Sequence, residues 1–323
     1  MSSLLKIENL QMHYFTSKGA VRAIDDVSFA LMPGETIGLV GESGCGKTSL
    51  GTSILRMPTP PGRYVGGKVI VEGIDVIPLS EKEVRKNIRW QKISMVFQGA
   101  MNCLTPVYTI GRQMRETLNE HSDIQKADAD DLMREYLGYV GLAPEILQRY
   151  PHELSGGMKQ RAVIATALFL KPLIVILDEP TTALDVIVQA QIINLLKKLK
   201  AQFNLSFIFI THDLALEAEI SDRICVMYAG KIVEMGTNAQ IYGDSGPAHP
   251  YTSRLLAATP RLFRKVEQLQ FIPGTPPDLI SPPRGCRFSP RCDKAFARCF
   301  EEEPPLNEIE PEHTAACWLN QRR

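Results

Sequence analysis

The stretch GESGCGKT, Gly41 to Thr48, constrains this chain more than any other. It fits the pattern GxxxxGK[ST] and stands where that pattern has a mechanism. The short apolar run TIGLVG (Thr36 to Gly41) precedes it and the helix-compatible KTSLGTSILRM follows. Glycines let successive backbone N–H groups turn inward around phosphate oxygens, and the start of the following helix adds a favourable dipole. Gly41, Glu42, Ser43, Gly44, Cys45, Gly46, Lys47, Thr48 and Ser49 are therefore the candidate nucleotide-binding residues. Lys47 is expected to reach the β- and γ-phosphates and the Thr48 hydroxyl to help hold Mg²⁺. Cys45 reads as a small residue filling a loop position, with no catalytic role.

The strand, loop and helix around this turn need a large α/β domain, and 323 residues allow about two domains or one plus an extension. Lys and Arg number 36, as do Asp and Glu, so bulk electrostatic attraction to nucleic acid or anionic lipid is not indicated. The N-terminus MSSLLKIENLQMHYF lacks a signal peptide's long apolar core, which predicts a chain that stays in the cytosol. LIVIL, Leu173 to Leu177, is far shorter than the roughly 20 residues that cross a bilayer, so any membrane role is peripheral. Seven cysteines, an odd number, do not read as a secreted disulfide framework.

Along the chain, LLKIENLQMHYF and AIDDVSFALMPG predict strands, as do GGKVIVEGIDV and KISMVFQ. Residues from about Ile110 to Leu170 are mainly helical in pattern. PLIVILDEP and SFIFITHD then return as buried strands around the helical VIVQAQIINLLKKLKAQF, a βαβ arrangement that favours a parallel sheet. After about Gly246 prolines and glycines thicken and long apolar runs stop, which predicts a second, smaller unit with little regular structure.

LIVILDEP ends in two acids. Asp178 is placed to bind Mg²⁺, directly or through water, and Glu179 to polarise an attacking water. With GESGCGKT and LDEP, the segment LSGGMKQR (Leu154 to Arg161) resembles the signature motif of ABC-type ATPases, and all three stand in that family's order. Gln98 resembles the Q-loop glutamine, Asp185 in TALD the D-loop aspartate, His212 in ITHD the switch histidine, and Tyr14 the aromatic that stacks on adenine. The resemblance covers Leu4 to Gly243.

That resemblance implies a RecA-like P-loop core with an antiparallel β subdomain and an α-helical subdomain at about 101–170. It places the ATPase domain at 1–246 and a small, loop-rich extension at 247–323. It also implies a dimer, in which Ser155, Gly156, Gly157 and Gln160 of one chain close over the ATP of its partner. Glu179 would be the general base, His212 would stabilise the transition state, and Gln98 would sense Mg²⁺ and water.

HPYTSRLLAATPR, the Pro-rich FIPGTPPDLISPPRGCRFSPRC and FQGAMNCLTPV resemble the "D"-type ATPase subunit of oligopeptide and dipeptide importers. The implied machine has a homologous second ATPase subunit, two permease subunits and an extracellular solute-binding protein, with no nucleic acid. The chain would sit peripherally on the cytoplasmic face of the membrane. Peptides are the expected cargo, with oligosaccharides or nickel complexes as alternatives. A soluble, non-transport ABC ATPase is the rival class.

Cys286, Cys292, Cys299 and Cys317 are spaced Cx5Cx6Cx17C. Four thiolates suit a [4Fe–4S] cluster or a tetrahedral Zn²⁺, though paired CxxC knuckles are absent. The resemblance favours the cluster and leaves zinc, free thiols or disulfides open. His313 is a possible substitute ligand but reads more simply as a solvated loop residue. Arg284, Arg287, Arg291 and Arg298 either offset a cluster's charge or face solvent. Few large apolar residues follow Pro273, so a bound group is expected to supply the constraint that a core would otherwise give.

Overall fold

The computed structural model describes residues 3–99, 103–122, 124–244, 246–258 and 272–321. The expected start of the helical subdomain at 101, with the parts of FQGAMNCLTPV and HPYTSRLLAATPR at 100–102 and 259–261, lies outside the described residues.

In chain order the strands are β1 (Leu5–Thr16), β2 (Gly19–Leu31), β3 (Thr36–Val40), β4 (Gly62–Val71), β5 (Ile74–Asp75) and β6 (Ile93–Val96). β7 (Ile174–Asp178), β8 (Ser206–Ile210), β9 (Arg223–Tyr228), β10 (Lys231–Thr237), β11 (Asn307–Glu310) and β12 (His313–Ala315) follow. The helices are α1 (Lys47–Ile54), α2 (Glu81–Asn87), α3 (Ile110–His121), α4 (Lys126–Tyr139) and α5 (Gly156–Leu168). After them come α6 (Val186–Phe203), α7 (Leu214–Ile220), α8 (Asn238–Tyr242), α9 (Pro250–Ala257) and α10 (Ala297–Glu301). Among the described residues no helix is long and apolar enough to cross a membrane.

The chain forms two compact units. One draws on residues up to 5, 31–36 and 70–210. Its β6, β7 and β8 run parallel, with Ile93 opposite Ile174 and Ile174 opposite Ser206. Every residue of these three strands is buried, so they read as continuous apolar runs rather than alternating ones. The crossover helix α6 begins where the Asp185 side chain accepts the Val188 N–H at 3.0 Å, and it ends at Asn204 in the left-handed region. Ile192, Ile193, Leu195, Leu196 and Leu199 give it one buried face. In the helical layer, the Tyr136 ring of α4 stacks on Phe203 at 6.0 Å and meets Phe169 edge-on at 5.5 Å.

The other unit draws on 6–30, 37–69 and the chain from 211 onward. β3 pairs parallel with β9, β9 antiparallel with β10, β10 with β12 and β12 with β11. The C-terminal extension is largely loop, as its composition predicts, and it also joins this sheet. Its β11–β12 hairpin adds two strands to the sheet, through Glu234 opposite Ala315 and Met235 opposite Thr314. It also shares an apolar core with that sheet. Phe288 is 1% exposed and lies against Tyr228, Tyr251 and Val226 in one cluster. Burying a side chain of that size is worth about 1.5–3 kcal/mol. The scarcity of apolar residues after Pro273 is met by borrowing a neighbour's core.

His313 corrects the solvated-loop reading. It is 3% exposed, and its Nε2 lies 2.8 Å from Glu234 Oε1. Glu234, 0% exposed, also accepts the N–H groups of Ala248 and His249. That buried carboxylate ties β10, the start of α9 and β12 together.

Candidate nucleotide site

Within the second unit, Gly41–Ser49 connects β3 to α1. Gly41 and Gly46 have φ of 150° and 110°. A Cβ at Gly41 would lie 2.2 Å from the Met227 carbonyl oxygen, and one at Gly46 would lie 2.3 Å from that of Ala23. Only glycine fits either place. Lys47 is 7% exposed, and its ammonium donates to the carbonyls of Gly41 at 2.7 Å and Glu42 at 3.0 Å. Ser43, Gly44 and Thr48 are exposed, as a loop that receives an anion requires. Ser49 is half-buried and exchanges a 3.0 Å hydrogen bond with the Tyr14 hydroxyl, which ties the aromatic of β1 to the helix start. Cys45 is buried, and burial pushes its thiol pKa up, so it is no reactive thiolate. His212 is exposed just before α7, whose first turn is capped by Asp213.

Within the first unit, Asp178 closes β7 and is 0% exposed. Glu179 follows at φ 48°, a left-handed conformation held by its N–H bond to the Ile210 carbonyl at 2.8 Å. Its carboxylate accepts from the Gln98 side-chain amide at 3.0 Å and from the Thr182 hydroxyl at 2.9 Å. Gln98 and Glu179, far apart in sequence, are thus in contact. Thr182, the opening residue of TALD, is therefore also a partner of that carboxylate.

Ser155 caps α5 by accepting the Met158 N–H at 3.3 Å, and Gly156 and Gly157 form the first turn of that helix. A Cβ at Gly157 would stand 2.8 Å from Val188 Cγ1, so this glycine permits the close approach of α5 and α6. Gln160, on the same helix, is 3% exposed. Asp185 is exposed at the start of α6.

Cys286, Cys292, Cys299 and Cys317 all line one small cavity of about 20 Å³, with Phe288 and Trp318 in its wall. All four are free, and the N–H of Cys286 donates to the carbonyl of Cys299 at 2.8 Å. Burial pushes Cys286 up to about 12 and raises Cys292 and Cys317. Among the described residues no group of three or more His, Cys, Asp or Glu side chains is arranged to hold a metal ion.

Two of the arginines near these cysteines in sequence have other partners. Arg287 pairs with Asp25 and the Ala229 carbonyl, and Arg291 pairs with Glu42. Arg298 is exposed, bonded to Glu302 and stacked over Trp318, and Arg284 is exposed. Arg291 and Tyr251 lie in stretches that carry the family resemblance, but nothing in those stretches shows that both touch Glu42 of the phosphate loop.

Two sequence families match the chain: one described as "ABC transporter" over residues 24–182, the other as "Oligopeptide/dipeptide transporter, C-terminal region" over residues 233–299. The oligopeptide transport ATP-binding protein OppD of Bacillus subtilis (strain 168) is 46% identical over 323 residues, covering 99% of this chain and 89% of that protein. The chain belongs to the oligopeptide/dipeptide group of ABC transporter ATP-binding proteins. The dipeptide transport ATP-binding protein DppD of the same organism is 44% identical, with 100% and 96% covered. The dimeric ABC transporter cassette MJ0796 superposes with a TM-score of 0.64 at 26% identity, over 72% of this chain and 98% of that one. This ABC-type ATPase therefore has the RecA-like core, antiparallel sheet and helical subdomain of its family, and ATP and Mg²⁺ use is consistent with that fold.

Proposed function

We propose that the chain is the ATP-hydrolysing subunit that powers import of di- and oligopeptides through a membrane ABC transporter. The observation that carries this reading is the match of both its cassette and its C-terminal region to one group. Relatives named for oligopeptide and dipeptide transport cover nearly its whole length. It works peripherally at the cytoplasmic face of the membrane, paired with a homologous ATPase subunit beneath two permeases that a solute-binding protein feeds. Residues 1–246 form the ATPase domain and 247–323 the extension.

In the proposed chemistry, Tyr14 stacks on adenine and the N–H groups of Gly44 to Ser49 surround the phosphates. Lys47 turns from its loop carbonyls to the β- and γ-oxygens. The Thr48 hydroxyl, the Asp178 carboxylate and the Gln98 side chain are the proposed Mg²⁺ contacts, oxygen donors of the hard kind that ion prefers. The ion would supply charge neutralisation at the β- and γ-phosphates. Glu179, oriented by Gln98 and Thr182, takes the proton of the attacking water as its oxygen bonds to the γ-phosphorus and the bond to ADP breaks. His212 stabilises charge on the transferring group. Ser155, Gly156, Gly157 and Gln160 serve the nucleotide of the partner subunit, and Asp185 is the D-loop aspartate.

The four cysteines are proposed to hold a [4Fe–4S] cluster, with Zn²⁺ as the alternative. Four thiols lining one cavity, with no carboxylate in its wall, are the donor set of either group. Anaerobic purification should give a brown protein with matching iron and sulfide; a colourless chain with one zinc overturns this part.

The transport reading is tested by isolating the chain from membranes. It should co-purify with two permeases and a second ATPase, and peptide-loaded solute-binding protein should stimulate hydrolysis in the reconstituted complex. A partner-free soluble ATPase, or stimulation by sugar or nickel chelates alone, overturns it.

A further inference from the structure

Glu42, the second residue of the phosphate loop, is held from three sides. Its carbonyl accepts from Lys47. Its N–H donates to the Tyr251 hydroxyl of α9 at 2.8 Å. Its carboxylate receives a two-pronged fork from Arg291, Nη1 to Oε2 at 2.6 Å and Nη2 to Oε1 at 2.9 Å. Two of these three partners come from the C-terminal extension, 249 residues further along the chain in the case of Arg291.

Arg291 is built for this contact. Its side chain is 5% exposed, and its remaining donors go to the carbonyl of Pro273, at 2.8 Å from Nε, to the Tyr228 hydroxyl, at 3.2 Å from Nη1, and to the carbonyl of Ile272, at 3.3 Å from Nη2. It ends a short 3₁₀ turn, Ser289–Arg291, that Cys286 and Cys292 bracket through Ser289 N–H to the Cys286 carbonyl and Cys292 N–H to the Ser289 carbonyl. A planar, always-charged fork held this firmly fixes a carboxylate in position and cancels its charge together.

That charge matters because of where it sits. A loop that wraps a triphosphate contains an acid of the same sign as its ligand. Uncompensated, the Glu42 carboxylate would repel the phosphates and free the loop to swing. We propose that Arg291 is a positioning residue for the nucleotide site: from the C-terminal extension it neutralises Glu42 and holds the phosphate loop in its phosphate-receiving shape. The extension is then a working part of the ATPase. This inference rests on the reading that Gly41–Ser49 binds the phosphates of ATP.

The test uses the full-length chain and measures MgATP affinity by calorimetry at low and high ionic strength. Arg291→Met should weaken binding about tenfold at low salt, and the deficit should shrink when salt shortens the screening length. Adding Glu42→Gln to Arg291→Met should recover most of the loss, because the unpaired charge is then gone. Arg291→Lys keeps the charge without the fork and should fall between the two. A merely structural Arg291 would give neither the salt dependence nor the rescue. Wild-type affinity in Arg291→Met, or no recovery in the double variant, overturns the proposal. Should Arg291→Met fail to fold, the same comparison is made between Arg291→Lys and Arg291→Lys with Glu42→Gln. Lys47→Ala separates the two levels: if it binds MgATP like the wild type, the phosphate-loop reading itself fails.

Discussion

The side-chain amide of Gln98 donates to the carboxylate of Glu179 at 3.0 Å, so one hydrogen bond joins the exit of β6 to the exit of β7. Glu179→Gln retains the shape of that contact but cannot take up a proton. Hydrolysis by the assembled ATPase should fall by about 10²–10⁴-fold, with MgATP affinity within about threefold of wild type. Single-turnover phosphate release measures the first and equilibrium binding the second. Near-normal turnover would remove Glu179 as the base.

Thr182→Val removes the second donor to the same carboxylate oxygen at nearly constant volume. The loss of one hydrogen bond that orients the base should lower kcat about tenfold and leave KM for ATP nearly unchanged. A change confined to KM would assign Thr182 to nucleotide binding instead.

Glu217 is 0% exposed on α7, bonded to the Tyr242 hydroxyl, and a Cβ at Gly38 would sit 1.5 Å from its Oε1. Burial, opposed by that hydrogen bond, pushes its pKa up to about 8. The folded chain therefore keeps a proton that the unfolded chain releases near the ordinary value of 4.5. Stability is full below about pH 4.5 and is lost as pH rises toward 8. Between pH 6 and pH 9 the loss from this group should be on the order of 3 kcal/mol. Glu217→Gln should flatten that part of the profile in urea denaturation. Parallel profiles for variant and wild type would refute the protonated state.

Tyr251→Phe deletes the acceptor for the Glu42 N–H, in a place where Tyr251 is 0% exposed and water has no ready access. An unmet N–H costs about 1–3 kcal/mol, and here the cost falls on the phosphate loop. MgATP affinity should drop at least about fivefold while the far-UV spectrum is unchanged. Unaltered affinity would place the hydroxyl outside the nucleotide site's support.

The elements that local pattern specifies were open to reading. Val186–Phe203 carries a capping aspartate and a helical stripe, and Ile174–Asp178 is a short run too apolar for anything but a buried strand. The glycines and lysine of the phosphate loop and the acids at the end of β7 stand out as motifs for the same reason, since adjacent residues make each one. Arg291 meeting Glu42, and His313 meeting Glu234 79 residues away, leave no periodicity to detect. At the C-terminus, composition told that the segment encloses no core of its own but not where it packs. Phe288 and two short strands suffice when a sheet is there to receive them.

The hairpin on β10 also governs how this protein can be cut. β10 is rich in apolar residues and buried at Ile232 through Gly236, and β12 occupies its outer hydrogen-bonding groups. The boundary of the sheet passes to β11, Asn307–Glu310, whose Glu308 and Glu310 put negative charge where a foreign strand would dock. A chain ended near residue 246 would lose that guard and present a naked, sticky rim. The extension is thus the protein's own barrier against self-association, and a truncated cassette should precipitate for reasons unrelated to ATP.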